Sequence, residues 1–448
     1  MTITRRSEKG SALTHNELDG NFTHFEDAVQ EMNVKSARQI GGQSYIDILW
    51  LPCPPTLDLK AYDYRDETYG VPSNVTFERA SIATQVNAQG LIESAAEDVM
   101  RHDYDPVTGE YKGWLIEESR TNLLTYSEDF SNAAWDKTRS FIHANATTAP
   151  DGTMTADKFV EDTDNDNHYI RQFPSETGIL CYSIFTKIEE RSKISISHYN
   201  STDGNIRVEF DLASKTIIEN VDNLSCGMEN SNDGWVRAWV VFNSSSTGDF
   251  KVCLRDDDNN STYTGDGTSG LYIWGAQLEQ GNFPTSYIPT TTASVTRGAD
   301  ICYIDGSDFT DFYNSEGSLI VSYKSGTDLI ANTILSLESD TSNYIDFDGE
   351  TNQISVSTSG TEVALIPASS TPAEDTDYNI AFVYSDDDFA ACVDGGTVGT
   401  DTSGNVPTVD TLQIGRNNAG SNYINGHIKQ ITCFPRKLSD SQLQLLTS

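Results

Sequence analysis

The sequence has no run of about 18 apolar residues, so it offers no candidate for a membrane-spanning helix. Two arginines near the start have no apolar stretch behind them, which excludes an ordinary secretion signal. The seven cysteines are scattered without C-x-x-C spacing, which argues against a zinc site and a dense disulfide framework. We expect no membrane insertion and no passage through a secretion channel.

Basic residues are also scarce. The chain carries 29 lysines and arginines against 67 acidic residues, a formal net charge of -38. Such a field repels phosphate backbones and anionic lipid surfaces, so nucleic acid is a poor partner. Two interpretations of the charge remain: solubility in crowded or salty surroundings, and carboxylate clusters that hold divalent cations.

Motifs of catalysis are missing as well. No G-x-S-x-G motif occurs, and the seven histidines are widely spaced without a metal-binding pattern. A pair of carboxylates could hydrolyse a glycosidic bond, but the abundance of acidic residues prevents any such pair from being singled out. We therefore expect a protein that is not an enzyme.

The dominant pattern of the sequence is one typical of β-strands. From residue 45 onward, short runs rich in Val, Ile, Tyr, Phe and Thr alternate with polar clusters, as in SKISISHY, IRVEFDL and YNIAFVYS. Two series of about eight such runs, without long amphipathic helices between them, predict antiparallel sheets. The expected fold is all-β: two antiparallel β-sandwiches of jelly-roll type in tandem behind a short N-terminal α-helix.

The N-terminal helix is predicted from a heptad-like spacing. Thr14 and Glu17 have the spacing of a capping box, and five apolar residues follow at steps of four and three. These predicted oligomerisation and anchor residues are Leu18, Phe22, Phe25, Val29 and Met32. A helix this short is marginal alone in water, so it should pack against copies of itself or a host assembly. A helix packed on its own domain fits the periodicity equally well.

The predicted domain boundaries follow from these changes in residue composition and apolar periodicity. Residues 1–40 form the helical anchor, residues 41–298 the first sandwich with its leading strands, and residues 299–448 the second sandwich. The linker falls near TTTASVTRGAD, where apolar periodicity lapses.

A saccharide site needs an aromatic ring that stacks on a sugar face, with polar groups around it. The candidate ligand-binding residues lie in or beside predicted loops, and they are Trp235, Tyr263 and Trp274 in the first sandwich and Arg416, Tyr423 and Asn425 in the second. Most aromatic residues of strands belong to the core, so a structural role is the competing interpretation for each.

Two acidic loops could hold calcium, the one ion that this sequence suggests as a cofactor. The candidate ligands are Asp162, Asp164 and Asp166 in EDTDNDNH, and Asp256, Asp257 and Asp258 in RDDDNN. Alternating oxygen ligands suit a hard cation, although neither loop has the glycine and the terminal glutamate of an EF-hand. Solvated hairpin tips are the alternative.

Four blocks of sequence carry a family resemblance. Residues 79–137, from RASIATQ to AAWDK, and residues 272–300, from YIWGAQLEQG to RGAD, resemble modules of bacteriophage tail fibres that are similar to carbohydrate-binding domains. Residues 9–26 resemble the N-terminal segment of tail-fibre and tail-tip proteins, and residues 312–443 are similar to concanavalin-A-like, laminin-G-like jelly rolls. One departure is Trp114, where the family more often carries leucine.

The resemblance implies a tail-fibre or tail-tip protein that binds a glycan on the host surface. It implies a homotrimer joined to other tail proteins through its N-terminus, made in the host cytoplasm and exposed to the medium on the virion. A purely structural collar, baseplate or capsid fibre is one alternative, and a glycan depolymerase is another.

Overall fold

The computed structural model describes residues 55–60, 72–326, 332–367, 372–417 and 419–448. The five residues of the predicted anchor helix lie outside this part of the chain. The described residues form mainly β-strands, with two α-helices and one turn of 3₁₀ helix. No helix among them has the length and apolarity needed to cross a bilayer.

The leading strands come before residue 123. They are β1 (Leu57–Lys60), β2 (Thr76–Glu78), β3 (Ala83–Val86), β4 (Ile92–Ala95), β5 (Arg101–Tyr104), β6 (Tyr111–Ile116) and β7 (Arg120–Asn122).

The middle of the chain forms fourteen strands and the 3₁₀ turn Asn232–Gly234. The strands are β8 (Asp136–Thr138), β9 (Ser140–Thr147), β10 (Ala156–Glu161), β11 (Asn165–Asp166), β12 (Tyr169–Gln172), β13 (Gly178–Lys187), β14 (Lys193–Asn200), β15 (Gly204–Asp211), β16 (Thr216–Val221), β17 (Ser225–Asn230), β18 (Val236–Ser244), β19 (Asp249–Arg255), β20 (Tyr263–Thr264) and β21 (Gly270–Gln280).

The remainder holds twelve strands and both α-helices, α1 (Gly306–Thr310) and α2 (Asp440–Thr447). The strands are β22 (Val295–Arg297), β23 (Ile301–Asp305), β24 (Gly317–Lys324), β25 (Thr333–Asp340), β26 (Asn343–Asp348), β27 (Ile354–Thr358), β28 (Thr361–Ile366), β29 (Asp377–Tyr384), β30 (Phe389–Val393), β31 (Gly399–Asp401), β32 (Thr411–Ile414) and β33 (Gly426–Phe434).

The first sandwich consists of two six-stranded antiparallel sheets. One has the order β17-β18-β13-β21-β10-β9 and the other the order β16-β15-β14-β19-β12-β8. Alternation along β18 shows how the sequence builds the core, because Ala238, Val240 and Phe242 point inward and are at most 1% exposed. The residues between them face the other side of the sheet.

The second sandwich uses strands from both ends of the described chain. Its larger sheet has the order β31-β30-β29-β24-β33-β6-β5, with β1 also paired to β33, and its other sheet has the order β2-β23-β32-β25-β26-β27-β28. Leading strands β1, β2, β5 and β6 thus belong to the second sandwich. Their apolar residues, such as Leu57, Phe77 and Trp114, are buried in its core.

The first sandwich is therefore inserted into the second. Among the described residues, the first strands lie in the second sandwich. The chain leaves this sandwich after β6, builds the first sandwich and returns at β23. The prediction of an all-β chain of antiparallel sandwiches is confirmed. The expected division at residues 298 and 299 differs from the observed pairing, because strands within residues 41–298 complete the sheets of the second sandwich.

Helix α2 closes the second sandwich on the outside. The helix begins with a capping box, in which the backbone N–H of Ser439 donates to Oε1 of Gln442 at 2.9 Å. Leu443 packs with Leu438 and Phe434 over the outer face of the larger sheet. The helix thus covers strands β29 and β30.

The junction of β6 and β33 depends on Gly113. Its φ is +123°, and a Cβ there would lie 2.5 Å from the carbonyl oxygen of Ile428. Gly113→Ala should therefore lower the free energy of unfolding by more than about 2 kcal/mol, measured by denaturant titration.

Gly178→Ala is the matched control, because Gly178 also has a positive φ, +99°, but nothing lies within 4 Å of its added Cβ. It should cost only about 1 kcal/mol of backbone strain. Equal losses in the two variants would show that the contact with β33 is unimportant.

Candidate functional site

The two passages of the chain between the sandwiches run side by side. Strand β7 carries the chain out and β22 brings it back, and they pair antiparallel with Arg120 opposite Arg297 and Asn122 opposite Val295. We call this two-stranded connection the neck. It brings residues that are about 175 positions apart in sequence into contact, as the 2.8 Å hydrogen bond between the hydroxyls of Thr121 and Thr296 shows.

Beside the neck lies a buried ionic cluster, which we call the neck cluster. Its members are Arg79, Arg101, Glu117, Arg297 and Asp300. Asp300 binds the guanidinium groups of Arg79, at 3.0 Å, and Arg101. Glu117 binds Arg101 at 2.6 Å and Arg297 at 2.7 Å. Three cations thus face two carboxylates.

Hydrogen bonds complete the surroundings of Glu117. The backbone N–H and the hydroxyl of Ser286 donate to its carboxylate at 2.8 Å and 2.6 Å. Burial would raise the pKa of Glu117, but Arg297, Arg101 and the bonds from Ser286 outweigh it and hold that pKa far below its usual value. Glu117 is therefore ionised wherever the protein is folded at ordinary pH.

A cleft of about 710 Å³ opens between the two sandwiches and reaches the neck cluster at Glu117 and Ser286. The first sandwich contributes strands β17 and β18, the leading strands contribute β3, β5 and β6, and the second sandwich contributes loop residues. Those loop residues are Ser325, Gly326, Asp375 and Asn425, and the first residues of β33 add His427. A concave site with apolar and polar groups at a domain interface is a usual place for a ligand.

Trp239 is the aromatic residue of the cleft lining with exposed ring surface, because Phe185 and Tyr287 there are buried. It follows inward-facing Ala238 on β18, so it points to the outer face of the sheet, where it is half-buried. Gly227 lies directly opposite on β17, and a Cβ at that position would be 2.7 Å from the indole ring. The indole can lie across the neighbouring strand only because residue 227 has no side chain.

Polar groups surround this ring. His427 and Asp103 are joined by a 2.9 Å hydrogen bond from the imidazole Nε2 to the carboxylate. Burial lowers the pKa of His427, and the hydrogen bond from His427 helps to lower the pKa of Asp103 against the effect of burial, so the pair combines a neutral imidazole with an ionised carboxylate. Burial raises the pKa of Glu229, against the opposing charges of Arg237 and Lys112.

The predicted tryptophans are core residues. Trp235 and Trp274 are each 1% exposed and pack with Phe185 and Tyr287. Their indole N–H groups donate to the carbonyl of Thr148 at 3.1 Å and to the hydroxyl of Thr155 at 3.2 Å. The structural interpretation applies to both, because a ring with so little exposed surface cannot stack on a sugar.

The other predicted ligand residues are divided. Tyr263 is buried and donates to Glu161 at 2.8 Å. Arg416 and the largely buried Tyr423 lie together, with 3.5 Å between guanidinium and hydroxyl. Neither lines the cleft. Asn425 does, and it accepts the backbone N–H of Glu118 at 3.0 Å through its side-chain oxygen.

The predicted calcium ligands do not converge. In the first loop, Asp162 lies 3.4 Å from His168, while Asp164 and Asp166 face Arg139. In the second loop, the carboxylate of Asp256 accepts bonds from Asn260, that of Asp257 lies 3.7 Å from Arg191, and Asp258 is exposed. Within the described ranges, no group of three or more His, Cys, Asp or Glu side chains is arranged to hold a metal ion.

Sequence reasoning missed Trp239. The signal was in the strand WVRAWVVF, where the alternation that buries Ala238, Val240 and Phe242 must send Trp239 outward. The role of Gly227 could not be predicted, because the pairing register between β17 and β18 cannot be derived from the two sequence segments alone.

Comparison with known families decides the nature of the second sandwich. Residues 311–444 match the model of the concanavalin A-like lectin/glucanases superfamily. This segment is a concanavalin-A-like lectin/glucanase domain. The lectin/glucanase domain forms the second sandwich with strands that the match does not include, namely β1, β2, β5, β6 and β23.

Comparisons with solved structures and curated proteins add little. The chain is similar to the CBM40 module of a Ruminococcus gnavus sialidase bound to sialyllactose (17% identity, 30% of this chain, 84% of that chain, TM-score 0.25). It is also similar to domain 4 of the arabinanase AbnA from Geobacillus stearothermophilus with arabinotriose (14% identity, 38% of this chain, 84% of that chain, TM-score 0.28). A third similar structure is Trypanosoma rangeli sialidase with the inhibitor DANA (11% identity, 65% of this chain, 60% of that chain, TM-score 0.25). With TM-scores this low, we infer nothing from them. No curated protein sequence matches the chain.

The neck cluster makes a stability prediction. Glu117→Gln leaves Arg101 and Arg297 buried with one carboxylate fewer, so the free energy of unfolding should fall by about 3–5 kcal/mol in chemical denaturation at pH 7. Glu316→Gln removes an exposed carboxylate elsewhere and should change it by less than about 0.5 kcal/mol. A similar small effect of both substitutions would contradict the role given to the cluster.

The same residue predicts the response to acid. Because the pKa of Glu117 is lower in the folded than in the unfolded chain, its stabilisation is complete above the unfolded value of about 4.3 and is lost progressively as the pH falls below it. The stability of Glu117→Gln should therefore depend less on pH below 4.3 than that of the wild type. Parallel curves for the two proteins would contradict the lowered pKa.

Proposed function

We propose that this protein attaches a bacteriophage to its host by holding a surface glycan in the cleft, with Trp239 as the stacking platform. The observation that carries the proposal is the indole that lies across Gly227 in a cleft next to the lectin/glucanase domain. An aromatic face binds the apolar face of a sugar ring, and nearby polar side chains can bind its hydroxyls. Asn425 and Asn230 supply such groups.

The attachment role rests on the resemblance of residues 9–26, 79–137 and 272–300 to tail-fibre proteins. The residues of the neck cluster come from the latter two blocks. The segments that resemble tail-fibre proteins therefore form the connection between the sandwiches. We propose a homotrimer that joins the virion through its N-terminus. Weak affinity at one site would be multiplied when several copies bind one surface.

We propose binding without hydrolysis. Two carboxylates of the cleft are held in fixed pairs, Asp103 by His427 and Glu117 by two arginines. One observation favours the depolymerase alternative, because the pKa of Glu229 is raised by burial, as a general acid requires. Incubation with host polysaccharide decides between the two: we expect no release of reducing ends, and release that disappears in Glu229→Gln would establish the enzyme.

The platform is tested on an array of bacterial surface glycans. Trp239→Ala should weaken binding about tenfold or more, because it removes the stacking surface. Gly227→Ala should weaken binding similarly, since its methyl group displaces the indole. Phe141→Ala is the control, because Phe141 is 54% exposed on β9 and does not line the cleft. Unchanged binding in the first two variants would exclude this platform.

The attachment role is tested separately. Light scattering of the full-length protein should show a trimer, the chain should be found in purified virions, and added protein should compete with phage adsorption to the host. Virions that contain the chain but adsorb equally well without it would favour the purely structural alternative.

A further inference from the structure

The charges of the cleft bear on which glycan it can hold. Five acidic residues line it among the described residues, namely Asp103, Asp105, Glu117, Glu229 and Asp375, whereas the cationic side chains there are Lys112 and Arg237. The charge balance at the site therefore has the same sign as that of the whole chain, -38.

The guanidinium group of Arg237 is already occupied by contacts within the protein. It is 6% exposed, it donates to the carbonyl of Thr285 at 2.7 Å and to the hydroxyl of Ser183 at 2.9 Å, and its guanidinium lies 5.4 Å from the ring centre of Phe185. A ligand carboxylate would have to break these contacts to pair with it.

Lys112 serves the neighbouring carboxylates. Burial opposes a low pKa at Asp105, but the backbone N–H groups of Thr108 and Val107 and the charge of Lys112 lower it below its usual value. The charge of Lys112 also acts on Asp103 and Glu229. Lys112 thus acts to lower the pKa of three carboxylates through its charge, without an ion pair of 4 Å or less to any of these three.

The remaining carboxylates differ in how well they are neutralised. Glu117 is balanced by the arginines of the neck cluster, and Asp375 lies 3.0 Å from Lys324 at the exposed margin. Glu229 and Asp105 have no comparable guanidinium or ammonium contact within 4 Å among the described residues that pair as ions. Inside the cleft an anionic ligand would meet the ionised carboxylate of Asp105, where repulsion is only partly screened by salt. Glu229, whose pKa burial raises, adds to this repulsion when it is ionised.

We infer that the cleft selects uncharged or amine-bearing saccharides and rejects sugars that carry a carboxylate, such as sialic and uronic acids. This inference rests on the proposed glycan-binding function and adds the ligand class. Discrimination arises from like charges placed against the wrong ligand, which costs affinity without any contact to the right one.

The experiment uses matched pairs of probes at pH 7 and 0.15 M salt: lactose against sialyllactose, and galactose oligomers against galacturonate oligomers, with chitosan oligomers as the cationic member. The intact protein should bind the neutral member of a recognised pair at least about tenfold more tightly than the anionic one.

The double variant Asp105→Asn, Glu229→Gln should reduce that ratio to less than about threefold, because the anionic member of the pair binds more tightly once the like charges are removed. Asn at position 105 retains the side-chain oxygen that accepts the N–H groups of Val107 and Thr108, so the turn is preserved. Glu316→Gln, an exposed carboxylate outside the cleft, is the control and should leave the ratio unchanged.

Each outcome is decisive. An anionic probe that binds as tightly as its neutral partner, in a manner that Trp239→Ala abolishes, overturns the inference and leaves the proposed function standing. A neutral preference that persists in the double variant also overturns it, because the preference would then have another cause. No binding of any probe or array glycan overturns the proposed function and the inference together.

Discussion

The neck cluster is the constraint on which the rest of the structure depends. A sandwich inserted into another is connected to it by only two passages of chain, and here both passages are tied together by charge. Glu117 lies where the outward passage begins, just after β6, whereas Arg297 and Asp300 lie on the return. The ion pairs that join them, directly or through Arg101, are almost fully buried. Buried ion pairs give little stability compared with a well-packed apolar core, but removing one partner is costly because an unpaired charge is left behind. Such a cluster therefore specifies one arrangement of the chain rather than adding net stability.

The cleft follows from that arrangement. Its walls come from both sandwiches and from the leading strands, so its shape depends on how the neck holds them. The neck cluster reaches into the cleft through Glu117, which is fixed by Ser286 and two arginines and so cannot rotate toward a ligand. Trp239, on a strand of the first sandwich, faces loops of the second across this space. A lectin-like domain, an aromatic platform and a rim of polar groups suit the binding of a saccharide, and the charges of the rim limit which saccharide.

Much of the fold could be predicted from the sequence, and the particular residues show why. The alternation of side chains between the two faces of a strand, as in WVRAWVVF or YNIAFVYS, is a local property. Individual strands and the all-β class could therefore be predicted. The insertion of one sandwich into the other could not be predicted, because β1 pairs with β33 across more than 370 residues and neither segment indicates its partner.

The candidate site was likewise predictable only in part. Tryptophans near loops were predicted to bind ligand, yet Trp235 and Trp274 are core, since exposure depends on which sheet face meets a second layer. The outward Trp239 was predictable from periodicity alone, but its place opposite Gly227 required the register. The six aspartates show that carboxylates close in sequence need not converge in space.

The most direct test of the central claim is an experimental structure of the protein with a bound oligosaccharide identified on the array. The account predicts a sugar ring stacked on the indole of Trp239, between the two sandwiches, with the neck cluster intact behind it. A saccharide bound on the outer loops of either sandwich, with the indole of Trp239 uncovered, would contradict it.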